Sequence, residues 1–74
     1  MTRVEHGLKV VTYTDDEVII KQRVKIIDDQ GNLIKAPIIE VREKRRGKEP
    51  LKNVKDRAEK LILERVKNIK PEER

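Results

Sequence analysis

The chain has 74 residues, 45% of them charged, with no cysteine, no serine, one aromatic residue (Tyr13) and a formal net charge of +5. That length admits one small domain with a modest core, and the lack of cysteine excludes disulfides and thiolate metal sites. Nineteen Lys and Arg against fourteen Asp and Glu direct attention to anionic partners rather than to chemistry.

The charge is uneven. Residues 1–30 carry five basic and six acidic side chains, whereas 31–74 carry fourteen and eight. High charge alone would suit a disordered chain, but the apolar positions here are periodic and rich in Ile and Val, which predicts folding. The Lys/Glu/Arg load resembles the composition of thermophilic proteins. Without a signal-peptide core or a long apolar run, a cytoplasmic protein with no membrane partner is expected.

From the N-terminus, Val4 to Thr14 reads as a first strand. Val4, His6, Leu8, Val10 and Thr12 alternate onto one face, and Glu5, Lys9, Val11 and Tyr13 onto the other. Gly7 weakens that strand or marks a bulge. Thr14-Asp15-Asp16-Glu17 is a turn candidate. Val18 to Asp28 alternates most clearly: Val18, Ile20, Gln22, Val24 and Ile26 against Ile19, Lys21, Arg23, Lys25 and Ile27. Asp28-Asp29-Gln30-Gly31-Asn32 is a tight-turn signal.

Leu33 to Arg42 reads as a third strand with a defect. Pro37 cannot donate to a ladder, so an edge position or a bulge is expected, and the apolar phase changes across it. Residues 42–50 form a basic loop that ends in Gly47 and Pro50. A helix from about Leu51 to Ile69 follows, with Leu51, Val54, Ala58, Leu61, Ile62 and Ile69 in one stripe and Val66 on its edge. Arg65 falls inside the stripe, where its stem can lie on the sheet edge with its head in water. The expected architecture is α+β: a three-stranded antiparallel meander and one C-terminal helix on one sheet face (βββα), a single domain over 1–70 with a frayed tail over 71–74.

Catalytic chemistry finds few residues. With no serine or cysteine, threonines only on or near a strand, and one histidine alternating with apolar residues, nucleophilic catalysis has almost no candidates. The carboxylates Asp15, Asp16 and Glu17 lie at one end of the second strand and Asp28 and Asp29 at the other, roughly 33 Å apart at strand rise. They cannot form one acid–base pair, and turn chemistry explains them. No glycine-rich phosphate loop is present. The expectation is a protein that is not an enzyme, with no cofactor, no metal and no small-molecule substrate.

The basic residues carry more signal. Arg42, Lys44, Arg45, Arg46 and Lys48 crowd seven positions beside a helix start, where backbone amides add positive potential. Lys21, Arg23 and Lys25 project from one sheet face about 6.5–7 Å apart. No aromatic accompanies them, which disfavours a stacking platform for single strands.

Gly47 to Val66, with Lys52 and Lys55 at the helix start and an Ala/Leu stripe behind them, resembles the C-terminal half of double-stranded-RNA-binding domains. In that family a glycine-containing loop leads into a Lys-Lys-x-Ala-Lys helix start. Lys52 and Lys55 fall on its second and last lysines, Leu51 and Val54 on its first lysine and its alanine, and its first helix has no counterpart here. The resemblance implies phosphate contacts from Lys52 and Lys55 across a duplex groove.

Two functions compete on these grounds. One is a small nucleic-acid-binding module for DNA or RNA, duplex favoured, contacting phosphates through Arg42, Lys44, Arg45, Arg46, Lys48, Lys52 and Lys55, with Lys21, Arg23 and Lys25 as a further row. The other is a homodimeric interaction or assembly protein. It would use Val11, Tyr13, Ile19 and Ile27, expected on the face away from the helix, together with Leu63, which lies off the core stripe.

Overall fold

In the computed structural model, residues 2–69 are described. They form β1 (Arg3–Tyr13), β2 (Glu17–Ile27), β3 (Leu33–Lys35), β4 (Ile38–Lys44) and α1 (Leu51–Lys67). β2 is the central strand, antiparallel to β1 on one side and to both β3 and β4 on the other. The frayed tail expected over 71–74 lies outside the described residues.

The class is α+β as expected, but the sheet has four strands rather than three. Ala36-Pro37 divides the expected third strand, because proline has no N–H to give the ladder. Both halves still pair with β2, and Val24 N donates to Pro37 O at 2.9 Å across the gap. The change of apolar phase at Pro37 follows from this break.

β2 dictates the layering. Its burial alternates strictly from Val18 to Ile26: Val18, Ile20, Gln22, Val24 and Ile26 are buried, while Ile19 is half-buried and Lys21, Arg23 and Lys25 are exposed. The helix covers the even-numbered side. Val18, Ile20 and Val41 of the sheet meet Val54, Ala58 and Ile62 of α1, with Val11, Ile39 and Leu51 packed around them. Burying side chains of this size stabilises the fold by about 1.5–3 kcal/mol each.

On β1 the expected phase is corrected. The register runs His6↔Val24 and then Lys9↔Gln22, so Gly7 and Leu8 together oppose Arg23 in a bulge. The bulge inverts the faces. Val11 and Tyr13, expected away from the helix, oppose Ile20 and Val18 and therefore share the helix side, while Val10 and Thr12 oppose Lys21 and Ile19 on the other. Gly7 suits this close approach: a Cβ there would meet Arg23 Cβ, Cγ and O at 3.3 Å, a tight contact that Arg23 would have to yield to by a few tenths of an ångström. The bulge is also held from below. Gln22, the one buried polar residue of the described chain, donates its Nε2 to Gly7 O at 3.0 Å and to Arg23 O at 2.9 Å.

On α1 the buried line is Val54, Ala58, Ile62 and Val66, so Val66 belongs to the core rather than its edge. Leu61, expected in the stripe, sits at its rim at 36% exposure. Arg65 is exposed and its Nη1 donates to Glu40 O at 3.1 Å, tying the helix to the β4 edge.

Candidate nucleic-acid interface

The basic run divides between two elements. Arg42 and Lys44 are the last part of β4, opposite Ile19 and Glu17 of β2, and so stand on the sheet face that the helix leaves bare. Lys21, Arg23 and Lys25 stand on that same face. The structure thus brings together five of the ten candidate contacts on one surface.

Arg45, Arg46 and Lys48 belong to the connection. Arg45 is half-buried and its backbone N–H donates to Asp16 O at 2.6 Å, which fastens the connection to the β1–β2 turn. Arg46 to Glu49 form a turn closed by Glu49 N donating to Arg46 O at 3.3 Å. Gly47 takes a φ of 62°, a left-handed conformation that a side chain would strain, and Lys48 is exposed beside it.

Arg57 secures this connection, and no reading of spacing singled it out. Its Nη1 and Nη2 each reach a Glu49 oxygen at 2.7 Å, its Nε reaches Glu43 Oε1 at 3.2 Å, and Nη2 also donates to Lys44 O at 3.0 Å. Glu49 in turn accepts the Arg46 backbone N–H at 2.7 Å. The Arg57 guanidinium, with the Arg46 amide second, holds the Glu49 carboxyl down at about 2, and the two carboxylates raise Arg57 in return. An eight-residue separation on different elements gives no local signal; only the folded loop makes the pair.

Helix α1 begins after Pro50 with no side-chain cap and no acidic residue in its first turn. Its leading N–H groups therefore add uncompensated positive potential beside Lys52, which is exposed. Lys55 is turned toward β1, where it lies 3.9 Å from Glu59, which also accepts from Lys9 at 2.9 Å. Lys52 and Lys55 start the helix on the opposite side of the sheet from Lys21, Arg23 and Lys25.

The bare face has an asymmetric charge balance. Arg3, Lys21, Arg23, Lys25, Arg42 and Lys44 share it with Glu5, Glu17 and Glu40, six cations against three carboxylates. Each carboxylate is already held by an arginine: Glu5 by Arg3 at 2.7 Å, and Glu40 and Glu17 by Arg42 at 2.8 and 3.5 Å. Lys21 Nζ lies 4.0 Å from Glu40 Oε1. Among the described residues Lys25 and Lys44 have no carboxylate partner, and Arg23 donates only to Ala36 O at 3.1 Å. Positive charge on this face is thus left without internal compensation.

The residues expected at a dimer contact are dispersed. Val11 is packed into the core, Tyr13 is on the helix side, Ile27 is buried, Ile19 is half-buried on the bare face and Leu63 is exposed on the helix. The aliphatics the bare face exposes are instead Val10, Ile38 and, opposite Ile27, Leu33, with Leu8 at the bulge. No protein-family model, curated protein or solved structure matches the chain. No helix among the described residues is long and apolar enough to cross a membrane.

Proposed function

We propose that the chain is a small nucleic-acid-binding module that holds a duplex mainly through its phosphates. The observation that carries this reading is the uncompensated charge of Arg23, Lys25 and Lys44 on one open face. Lys48 in the connection and Lys52 at the uncapped start of α1 add two more exposed cations outside that face. Phosphate oxygens would supply the anions that this surface lacks, at a helix end whose amides favour them. The Arg57 clamp serves the same end by keeping the connection in one conformation, so that its lysines are presented without an ordering cost on binding.

The test is a salt titration with duplex DNA, duplex RNA and single strands in parallel. Log affinity should fall linearly with log salt, with a slope of about −0.9 per phosphate engaged on DNA. Replacing Lys44, Lys48 and Lys52 together with alanine should make that slope shallower by about three. Absence of binding to any duplex at low salt, or a triple variant that binds like the parent, overturns the reading.

A second reading, self-association without catalysis, draws on the exposed Val10 and Ile38 of the bare face. Face-to-face pairing of two copies would set like charges against one another and bury them, which opposes it.

A further inference from the structure

We infer that the bare sheet face enters the major groove of B-form DNA, with Arg23 directed at guanine edges and Val10, Ile38 and Leu8 against thymine methyl groups. This rests on the nucleic-acid reading above and adds to it the kind of duplex and the part of it that is read.

The shape of the sheet suits the groove. β2 is the central strand, and its neighbours lie about 4.8 Å away on either side, so the sheet is roughly 10 Å across between its outer strands. The major groove of B-DNA is about 12 Å wide and about 8.5 Å deep. With no other described element packed over it, the side chains of β2 project furthest along the midline. From Lys21 to Lys25 they cover about 13 Å, with Arg23 in the middle.

The surroundings of Arg23 suit base edges. Val10 opposes Lys21, Ile38 opposes Arg23, and Leu8 opposes Arg23 from the bulge. Val10 is 48%, Ile38 56% and Leu8 73% exposed, so aliphatic surface flanks the arginine on both sides. A phosphate-only surface has no use for this, whereas base edges present a guanine acceptor pair and a thymine methyl side by side. Gly7 keeps the bulge clear of the Arg23 stem, since any Cβ would crowd it at 3.3 Å. Of the guanidinium donors, Nη1 is engaged with Ala36 O at 3.1 Å, and a bidentate contact needs only two of those remaining.

Other nucleic acids suit this face less well. The one aromatic, Tyr13, is on the helix side, so unstacked bases of a single strand find no platform. The major groove of A-form RNA is too deep and narrow for a sheet, and its shallow groove is recognised through 2′-hydroxyls. Thr12 is the one neutral hydrogen-bonding side chain among the residues of the bare face.

The experiment compares three duplexes of one mixed sequence at physiological salt by fluorescence anisotropy: DNA, the same DNA with uracil in place of thymine, and RNA. DNA should bind tightest, the uracil duplex several-fold more weakly and RNA at least tenfold more weakly. Arg23→Gln should lose on the order of tenfold on DNA, the size of one good base contact. The double variant Val10→Ala/Ile38→Ala should lose the difference between thymine and uracil while keeping its fold by circular dichroism. Equal affinity for all three duplexes, with the Lys44/Lys48/Lys52 variant still impaired, overturns this inference and leaves the phosphate reading standing. Binding to none overturns both. A dimer that forms through Val10 and Ile38 and excludes DNA also overturns it.

Discussion

The two faces of the sheet are built from alternate residues of the same strands, yet they have been composed for different surroundings. On one, Val18, Ile20, Val24 and Ile26 are buried, and the single polar residue among them, Gln22, has found carbonyl partners. On the other, the intervening positions are Ile19, Lys21, Arg23 and Lys25, and not one of these is buried. The first face satisfies its needs within the chain. The second leaves positive charge and aliphatic surface exposed together, a combination that packing does not explain. The contrast locates the packed core on one side and an open, net positive surface on the other.

The largest effect should come from disturbing the covered face. Ile20→Ala removes a side chain with no solvent exposure at the centre of the sheet–helix contact. A loss of about 2–5 kcal/mol is expected, enough to lower Tm by ten degrees or more in a domain this small. The matching change on the open face, Ile38→Ala, should alter stability by no more than about 0.5 kcal/mol. Urea unfolding followed by far-UV circular dichroism compares the two. If Ile38→Ala proves as costly as Ile20→Ala, the open face is covered in solution and the contrast collapses.

A smaller effect is expected where the two faces exchange sides along β1. Gln22→Met keeps volume but withdraws the amide that reaches Gly7 O and Arg23 O. Leaving those carbonyls without their donor should cost about 1–3 kcal/mol, with amide exchange accelerating first around Gly7 and Leu8. Protection unchanged at those positions would mean that Gln22 does not hold the bulge.

That bulge also marks where the sequence could and could not be read. β2 was legible because strict alternation has one structural solution, and a defect at Pro37 was legible because a missing N–H is a local fact, although it separates β3 from β4 where an edge position or a bulge in one strand was expected. The alternative at Gly7, a weakened strand or a bulge, was visible too, but its consequence was not. One inserted residue moves Val11 and Tyr13 to the covered side and brings Val10 and Thr12 to the open one. Which apolar residues remain exposed therefore depended on a register that no single strand encodes. The basic row at Lys21, Arg23 and Lys25 was legible for the same reason as β2 itself. That the acids around it are already engaged by Arg3 and Arg42 was not, since Arg42 meets Glu17 across 25 residues.

The smallest effect concerns the clamp between the faces and the connection, and it is a question of pH. Glu49 has its carboxyl held at about 2 in the folded chain, first by Arg57 and then by the Arg46 amide, against an ordinary value of 4.5. Between those values the unfolded chain takes up a proton that the folded chain declines. Stability from this contact is therefore complete above about 4.5 and is lost as pH falls through about 2. Glu49→Gln should flatten the acid limb of Tm against pH. Residual slope should remain from Asp28, Glu40 and Glu59, whose carboxyls are also held low by hydrogen bonds from Asn32, Arg42 and Lys9. DNA affinity offers the sharper readout, because a loosened connection leaves the open face intact. Arg57→Ala at neutral pH should weaken duplex binding less than the Lys44/Lys48/Lys52 variant does, since it removes the order of the connection and not its charge. Affinity falling as far as in that triple variant would place Arg57 in the interface rather than behind it.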